Sequence, residues 1–443
     1  MTKHRFFLLL SLTLLLAACT AELPVVKVEG GLVQGILSEN PSVVVYKGIP
    51  YAAPPVGELR WKAPQPVKPW EGVRVCDKWG APSLQDPHTP GGYTEEFFFD
   101  GDPEFSEDCL YLNIWAPAGG ENLPVTLWIH GGAFRAGWGF EPEMDGTEWA
   151  AHGGILVTCN YRLGVLGFLA HPLLSAESGV SGNYGLLDQI AALKWVRDNI
   201  AAFGGDPSRI TIMGQSAGAM SVQALCASPL SKDLIAGAII QSGGGISARQ
   251  LTTSRTLPEA EAAGKAAMDA AGLFTLEQMR EATPEQILAI RYPGFIAPVT
   301  DGYVLPETFS EAALAGRIAD VPYMIGCTLD DIRGLDSGIE AFALEREKAG
   351  GVAYVYRFER RLPTDGRPDV LEGAFHSSEL WYTFKSLRYC WRPFTPADYD
   401  LAEEMIGCWT NFAATGDPNG NGPGLWSPYS KAKPEFKVFD VEK

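Results

Sequence analysis

The chain has 443 residues, 46% of them hydrophobic and 20% charged, and acidic residues exceed basic ones to give a formal net charge of −18. A chain of this length and composition can bury a sizeable hydrophobic core. Its negative charge would repel phosphate backbones and anionic lipid surfaces, which argues against nucleic acids as partners.

The first residues have the pattern of a bacterial export signal. Lys3 and Arg5 precede an apolar run from Phe6 to Leu16, which is too short to span a membrane. The tetrapeptide LAAC that ends at Cys19 resembles the lipobox of bacterial lipoproteins, in which cleavage leaves the cysteine as a lipidated N-terminus. An ordinary secretory signal, cleaved a few residues later, is the alternative.

This signal defines the predicted domain organisation. A lipoprotein signal peptide is expected over residues 1–18, followed by a single domain over 19–443, because no linker, low-complexity run or internal repeat divides the rest of the chain. The mature protein is expected to be exported and anchored to a bacterial membrane, the outer membrane or the cell surface, only through a lipid on Cys19. Without that lipid it would be periplasmic or secreted.

Predicted strands and helices alternate along the rest of the chain. Residues 25–80 are predicted to form short strands and turns around a Pro/Gly loop. The later apolar runs of strand length are Pro124–Ile129, Gly154–Thr158, Arg209–Met213, 234–244, 321–327 and 352–358. The predicted helices cover 186–203, about 216–226, 257–290 and 398–414. Such alternation predicts a mainly parallel sheet with helices on both faces.

Seven cysteines follow Cys19 at irregular spacing, without a CxxC pair or a cluster with histidine. This pattern predicts neither a disulfide framework nor a structural zinc site. Most of these cysteines lie in apolar runs and are expected in the core.

A serine between two glycines follows the predicted strand at 209–213. The stretch GQSAG at 214–218 has the form GxSxG and places Ser216 at its centre. Between a strand and a helix, this pattern is typical of a nucleophile elbow, a sharp turn that exposes the serine hydroxyl while main-chain N–H groups face an oxyanion. A plain glycine turn with a solvent-facing serine is the alternative.

A serine nucleophile needs a base, and histidine is the usual one. In the fold that carries a nucleophile elbow, the triad follows the chain order serine, acid, histidine. Of the six histidines in the chain, only His376 lies after Ser216. Because it also lies beyond the predicted strand at 352–358, in a late loop, elimination selects His376 as the candidate base.

The acid of such a triad is expected between the serine and the histidine, at the carboxyl end of a strand. Asp330 and Asp331 lie just past the predicted strand at 321–327. The pattern alone does not separate these two residues, and Asp301 and Asp320 are weaker candidates.

A glycine pair follows the predicted strand at Pro124–Ile129. In HGGAF, Gly131 and Gly132 leave room for a carbonyl oxygen to approach main-chain N–H groups. Paired glycines alone usually mark a turn, but upstream of a GxSxG they resemble the HGGG-type oxyanion motif of esterases and lipases.

Seven motifs spread along the mature chain together resemble the type-B carboxylesterases, the group that includes bacterial para-nitrobenzyl esterases and the cholinesterases. They are YKGIPYAAPPVGELRW, SEDCLYLNIWAP, HGGAF, VTCNYRLGVLGF, GNYGLLDQIAALKWVRDNIAAFGGDPSRITIMGQSAGA, GAFHSSELW and WTNFAATGDPN. The resemblance implies an α/β-hydrolase fold, with a large, mostly parallel central sheet and helices on both faces. It also implies a shortened helical cap, because only 45 positions separate Asp331 from His376.

The resemblance also assigns site residues. It implies Ser216 as nucleophile, His376 as base and Asp331 as acid, at a position where relatives usually carry glutamate. The main-chain oxyanion donors that it implies are Gly132, Ala133 and Ala217.

One family feature is not matched. The N-terminal disulfide loop of the family ends at the cysteine matched by Cys109, but the partner position falls near Ser83. Cys76 could replace that partner only with a changed loop.

Together these features predict a serine hydrolase that cleaves small-molecule carboxylic esters through an acyl-enzyme intermediate, without a metal or organic cofactor. Thioesters, lactones and amides are alternative substrates, because the pocket selects the leaving group and the triad does not. A non-catalytic binding module of the same family is a further alternative, although no triad member is missing.

Overall fold

The computed structural model describes residues 23–246, 255–420 and 426–441, so the predicted signal peptide and Cys19 lie outside the described residues. The strands are, in chain order, β1 (Val25–Val28), β2 (Gly31–Gln34), β3 (Ile36–Leu37), β4 (Val43–Pro50), β5 (Val73–Val75), β6 (Tyr111–Pro117), β7 (Leu123–Ile129), β8 (Ile155–Cys159), β9 (Gly205–Gln215), β10 (Gly237–Gln241), β11 (Tyr323–Thr328), β12 (Ala353–Phe358) and β13 (Lys437–Phe439).

Ten of these strands form one large sheet, in the order β13-β12-β11-β10-β9-β7-β8-β6-β4-β3. Neighbouring strands are parallel from β13 as far as β8, whereas β6, β4 and β3 continue the sheet antiparallel at the other edge. β1, β2 and β5 form a separate three-stranded sheet. The prediction of a large, mostly parallel sheet is therefore confirmed.

Helices connect most of these strands. They are α1 (Tyr93–Phe97), α2 (Thr147–Ala151), α3 (Gly164–Phe168), α4 (Pro172–Ser178), α5 (Tyr184–Asn199), α6 (Ala217–Ala227), α7 (Leu257–Ala270), α8 (Leu276–Glu281), α9 (Pro284–Ala289), α10 (Phe309–Leu314), α11 (Leu335–Lys348), α12 (Leu380–Thr383) and α13 (Pro396–Thr415). Within the described residues, no helix combines the length and the apolar character needed to cross a membrane.

The core lies on both faces of the large sheet. Ile212 of β9 packs in one apolar cluster with Leu193 of α5 and Val222 of α6. The next residue, Met213, packs in a second cluster with Met405 of α13. Because successive side chains of a strand point to opposite faces, one cluster lies on each side of the sheet and helices cover both sides, as predicted.

The predicted helix at 186–203 shows how local signals define an element. α5 ends at Asn199, a 3₁₀ turn continues over Ile200–Phe203, and Gly204 closes it in the left-handed region with a φ of 87°. Glycine adopts that conformation without a steric cost, which explains why the chain turns there.

The sequence analysis did not predict α11. Its apolar stripe is narrow, with Ile339, Phe342 and Ala343 buried among charged residues. It also begins after Gly334 without a side-chain cap, so the usual start signal is missing. Packing against β11 and β12, which the sequence pattern does not show, stabilises this helix.

No disulfide forms among the cysteines of the described residues, which are all free thiols. Cys109 contacts the Ser83 side chain, and burial raises the pKa of its thiol. Cys76 does not replace the missing partner.

The carboxyl ends of five strands position the candidate site. Because β7, β9, β10, β11 and β12 are parallel, their carboxyl ends lie along the same edge of the sheet. The segments that leave these ends carry, in turn, Gly132, Ser216, Ser242, Asp331 and His376.

Candidate active site

Ser216 occupies a sharp turn between β9 and α6. Its φ and ψ angles are 57° and −123°, a backbone conformation that costs a residue with a side chain roughly 1–3 kcal/mol. Its N–H group donates to the carbonyl oxygen of Gln241 at the end of β10, at 2.9 Å. The turn therefore holds the hydroxyl at the carboxyl edge of the sheet, where α6 begins.

The two glycines of the GxSxG motif make this turn possible. A Cβ atom on Gly214 would lie 2.5 Å from main-chain atoms of Gly218, and a Cβ atom on Gly218 would lie 2.0 Å from the carbonyl oxygen of Ile129. Both distances are too short for a real contact, so α6 packs against β7 and β9 only because both positions lack a side chain.

His376 lies between the serine and one of the two candidate acids. Its Nε2 is 2.8 Å from Ser216 Oγ, and its Nδ1 is 2.6 Å from Asp331 Oδ1. The side-chain Nε2 of Gln215 also lies 3.3 Å from the Nε2 of His376, the ring nitrogen that faces Ser216. The structure thus brings together three side chains that are separated by 45 to 160 positions in the chain.

Asp331 is held by a set of donors besides the histidine. Its Oδ2 accepts from the hydroxyl of Ser242 at 2.6 Å and from the N–H group of Thr328 at 3.1 Å. Its Oδ1 also accepts from the N–H group of Ile332 at 2.7 Å. These contacts orient the carboxylate toward His376 and keep it ionised.

Asp330 points elsewhere and ties two loops together. Its carboxylate accepts from the N–H group of Ala374 at 3.0 Å and lies 3.4 Å from Arg361. Its own N–H group donates to the carbonyl oxygen of Ala374, also at 3.0 Å. Asp330 therefore fixes the segment that leads to His376 and does not contact the imidazole.

The two weaker candidate acids lie in other contacts. Asp301 accepts from the N–H groups of Tyr303 and Leu305 in its own turn. Asp320 forms an ion pair with Arg346 at 2.7 Å.

The pKa values of the acid and the base are displaced in opposite directions by their contact. Burial lowers the pKa of His376, but the hydrogen bond and the charge of Asp331 outweigh burial and leave it above the ordinary value. Burial raises the pKa of Asp331, but the hydrogen bonds and the charge of His376, together with Ser242, bring it below the ordinary value. The pair is therefore suited to hold a positive charge on the imidazole.

The HGGAF loop runs beside Ser216. A Cβ atom on Gly131 would lie 3.3 Å from Ser216 Cβ, and one on Gly132 would lie 2.0 Å from the carbonyl oxygen of Ala136. Gly132 has a φ of 94° and Ala133 a φ of 55°, and both are exposed. Within the described parts of the chain, their N–H groups have no hydrogen-bond acceptor, so both are available to an oxygen beside the serine.

Comparison with known proteins identifies the family. The carboxylesterase family model matches residues 22–337 and 335–443. The chain belongs to this family. Para-nitrobenzyl esterase of Bacillus subtilis (strain 168) is 35% identical over 489 aligned positions, which cover 94% of this chain and 95% of that protein. Fumonisin B1 esterase of Sphingopyxis macrogoltabida is 41% identical over 366 positions, which cover 77% of this chain but only 63% of that protein.

The fold comparison agrees with the family. A solved structure of a PNB esterase superposes with a TM-score of 0.80 at 31% identity, covering 94% of this chain and 96% of that one. The carboxylesterase of Geobacillus stearothermophilus gives a TM-score of 0.78 at 32% identity with the same coverage. The chain is therefore a carboxylic ester hydrolase of the serine hydrolase type with the α/β-hydrolase fold, and the predicted family, fold class and enzyme class are confirmed.

Within the aligned region, this carboxylesterase has fewer residues than the Bacillus subtilis relative. Their alignment has 489 positions, more than the 443 residues of this chain, so the chain has gaps where the relative has extra residues. The position of the shortening, between Asp331 and His376 in the cap, stays a prediction.

The sequence analysis missed Ser242, which donates to Asp331. Ser242 directly follows β10 and has a φ of 55°, in the left-handed region. A polar residue at the carboxyl end of a parallel strand, in the run QSGGG, is the signal that could have identified it.

Glu379 is a second residue that the sequence analysis missed. It is fully buried, and burial together with the nearby charge of Asp331 raises its pKa to about 7. One of its carboxylate oxygens has no hydrogen-bond partner within the described residues. Glu379 is therefore a carboxyl group close to the acid and the base of the site that changes its charge near neutral pH.

Two further buried carboxyl groups, which interact with each other, follow the HGGAF loop in the chain. Glu141 accepts from the N–H group of Trp138 at 2.7 Å, and burial raises its pKa to about 7. Burial and the neighbouring Glu141 raise the pKa of Glu143 well above its ordinary value. Burial lowers the pKa of the nearby His130 to about 4, so this histidine supplies no positive charge to the pair at neutral pH.

Replacing Glu143 with glutamine is expected to reduce the loss of folding stability at alkaline pH. A raised folded-state pKa means that the proton stabilises the fold fully below the unfolded pKa of 4.5, and that this stability is lost as the pH rises through the folded value. Between pH 5.5 and pH 8, we therefore expect the wild type to lose more of its unfolding free energy than the variant. Denaturant unfolding at both pH values measures the difference.

The exposed residue Glu71 provides a matched control for the charge change. Its replacement with glutamine should leave the pH dependence of the wild type in place. An identical pH dependence in Glu143→Gln and the wild type would contradict the prediction.

Proposed function

We propose that Ser216, His376 and Asp331 form the catalytic triad with which this carboxylesterase cleaves small-molecule esters through an acyl-enzyme. The observation that carries the proposal is the pair of hydrogen bonds on one imidazole ring, 2.8 Å to Ser216 Oγ and 2.6 Å to Asp331 Oδ1. With Nδ1–H donating to the carboxylate, Nε2 is left as the acceptor for the serine proton.

The reaction then follows from this arrangement in two halves. His376 removes the proton of Ser216 as its oxygen attacks the ester carbonyl, and the imidazolium returns that proton to the leaving alcohol. Water, activated by the same nitrogen, hydrolyses the acyl-serine ester and releases the acid. Asp331 holds the ring in the productive tautomer and stabilises the imidazolium.

The negative oxygen that forms in each half needs preorganised donors. We assign this role to the main-chain N–H groups of Gly132, Ala133 and Ala217. The exposure of Gly132 and Ala133 and the position of Ala217 at the first turn of α6 support the assignment. Thioesters, lactones and amides also present a carbonyl group to the serine and the oxyanion donors. These compounds should therefore be tested as substrates together with oxygen esters.

Transient kinetics with 4-nitrophenyl acetate tests the acyl-enzyme. If acylation is faster than deacylation, nitrophenolate should appear in a burst of one equivalent per enzyme before the steady state. Mass spectrometry of the quenched enzyme should show an acetyl group on the peptide that contains Ser216. An acetyl group found only on another residue would contradict the proposal.

For the mature protein we propose a lipid-anchored domain over residues 19–443, released from the signal peptide 1–18. The motif LAAC at the end of the apolar run supports this, together with the early basic residues. The protein would be exported and held at the outer membrane or the cell surface by the lipid on Cys19.

Replacing Cys19 with serine tests the anchor. In a bacterial host with lipoprotein processing, the wild type should fractionate with membranes and incorporate labelled palmitate. The variant should do neither, because no thiol is available for the lipid. Equal membrane association of both proteins would refute the lipid on Cys19 as the anchor, and recovery of both from the soluble fraction without label would favour the ordinary secretory signal.

A further inference from the structure

The small sheet of β1, β2 and β5 carries apolar side chains on both sides. On its inner side, Val26, Val28 and Val33 are buried in one of the two core clusters. The other side is exposed to solvent, where the side chains of a half-buried sheet are normally polar. It instead carries four aliphatic side chains, whose exposed fractions are 47% for Val25, 37% for Leu32, 44% for Val73 and 54% for Val75.

Strand pairing places these four side chains on one continuous surface. Residues directly opposite each other on neighbouring strands point to the same side of a sheet. The pairing of the three strands produces two adjacent rows, one of Lys27, Leu32 and Val73 and one of Val25, Gln34 and Val75. We call these six residues the outer face. A continuous exposed apolar surface is typical of a contact with a partner or a membrane.

The predicted lipid anchor lies close to the outer face. Leu23 precedes β1, and its carbonyl oxygen accepts from Nε2 of Gln34 in the outer face at 2.8 Å. From Cys19 to Leu23 the chain advances by four residues, so even a fully extended chain spans at most about 14 Å. A folded domain of 443 residues has a radius of gyration of roughly 22 Å. A lipid on Cys19 would therefore hold the surface around Leu23 at the bilayer, and the opposite side of the domain could not reach it.

The size of the outer face favours a bilayer over a second copy of the chain. A stable protein pair buries ~800 Å² on each partner, and four half-exposed aliphatic side chains supply only a small part of that area. A contact with the bilayer can be smaller, because the lipid already keeps the domain at the membrane and raises the effective concentration of the face there.

The charge of the outer face also suits a lipid surface. Its one charged residue is the basic Lys27, although acidic residues outnumber basic ones by 53 to 35 in the whole chain. A lysine can lay its aliphatic stem along apolar groups while its ammonium group reaches the phosphates of the headgroups. The contact therefore does not bring the acidic part of the protein surface against those phosphates.

We propose that the outer face docks on the bilayer that carries the lipid anchor, with its four aliphatic side chains at the boundary between headgroups and acyl chains. The proposal rests on the lipid anchor at Cys19 that is part of the proposed function. It adds to that anchor which side of the domain faces the membrane.

Photochemical labelling from within the bilayer tests the proposal. The full-length lipoprotein is reconstituted into vesicles of phosphatidylcholine, a fraction of which carries a diazirine on its acyl chain. β5 is the diagnostic strand, because it is far from Cys19 in the sequence and only the fold brings it to β2. After irradiation, peptides that contain Val73 and Val75 should carry at least about fivefold more label than the peptide around Leu314, which is 58% exposed on α10.

A charged substitution on β5 separates insertion into the bilayer from simple proximity. Val75→Glu should lower the label on β5 at least about threefold, because a carboxylate is driven back into water from the lipid boundary. Leu314→Glu places the same charge on an equally exposed apolar residue and should leave the label on β5 unchanged. Hydrolysis of 4-nitrophenyl butyrate at the wild-type rate shows that each variant is folded. The comparison of β5 with α10 in the wild type needs no variant.

Equal labelling of β5 and α10 in the lipidated wild type would refute the docking and leave the anchor in place. So would a β5 label that a folded Val75→Glu retains in full. Unlabelled β5 peptides together with cross-links between Lys27 residues of two copies would assign the outer face to a second copy. A purified protein without lipid on Cys19 would show that the anchor itself fails, and the docking proposal would fall with it.

Discussion

Replacing Ser216 with alanine is expected to lower kcat for ester hydrolysis by at least ~10⁴-fold, because the hydroxyl that forms the covalent intermediate is removed. Binding and the oxyanion donors survive the substitution, so KM should change far less than kcat and a small residual rate should remain. Steady-state hydrolysis of 4-nitrophenyl butyrate measures the loss, and the burst of nitrophenolate should disappear with it.

Ser221→Ala is the matched control for this prediction. Ser221 lies in α6, five residues after Ser216, and its buried hydroxyl accepts from Gln189 at 3.0 Å without touching the site. Removing this hydroxyl should change kcat by less than about threefold. The substitution removes only one buried hydrogen bond, and that bond does not involve the reacting atoms. Retention of wild-type turnover by Ser216→Ala would refute Ser216 as the nucleophile.

Replacing Asp331 with asparagine is expected to lower kcat by about 10³–10⁴-fold. The amide cannot stabilise the imidazolium, and its NH₂ group can favour the wrong tautomer of His376.

The pH dependence of kcat/KM should change in Asp331→Asn as well. In the wild type, Asp331 raises the pKa of His376, and the base becomes inactive when the pH falls through that pKa. Without the charge at position 331, the acid limb of the kcat/KM profile should move to lower pH.

Asp330→Asn separates the two neighbouring acids. Asp330 contacts Ala374 and Arg361 and does not contact the imidazole of His376. The side-chain oxygen of an asparagine at this position can still accept the hydrogen bond from Ala374. We therefore expect a loss in kcat of no more than about tenfold and no shift of the acid limb. A loss confined to position 330, with Asp331→Asn active, would reverse the assignment.

Local patterns were enough to predict the elements that carry this site. The apolar runs at Pro124–Ile129 and Gly154–Thr158 correspond to β7 and β8 within one residue at each end. Strand and helix periods depend on the backbone geometry of a few neighbouring residues, so they can be read from a single sequence. α11 was not predicted, because its apolar stripe is narrow and its formation depends on packing against β11 and β12.

Local sequence patterns did not identify which of two neighbouring aspartates is the candidate acid. Asp330 and Asp331 follow the same strand and have the same side chain, and only the family resemblance favoured the second. The structure separates them because adjacent side chains leave the main chain in different directions. One carboxylate reaches the His376 ring, and the other reaches the main chain of Ala374.

By itself, the sequence determined the family, the strands β7 to β12 in chain order, and the two candidates Ser216 and His376. It could do so because glycine requirements, periodicity and chain order are local or one-dimensional properties. Only the tertiary structure decided which aspartate faces the histidine, that Glu141 and Glu143 are buried together, and that β5 joins β1 and β2 in one exposed apolar face. Burial, pKa and charge pairing depend on groups brought close by the fold, and the spacing of residues along a chain does not specify those distances.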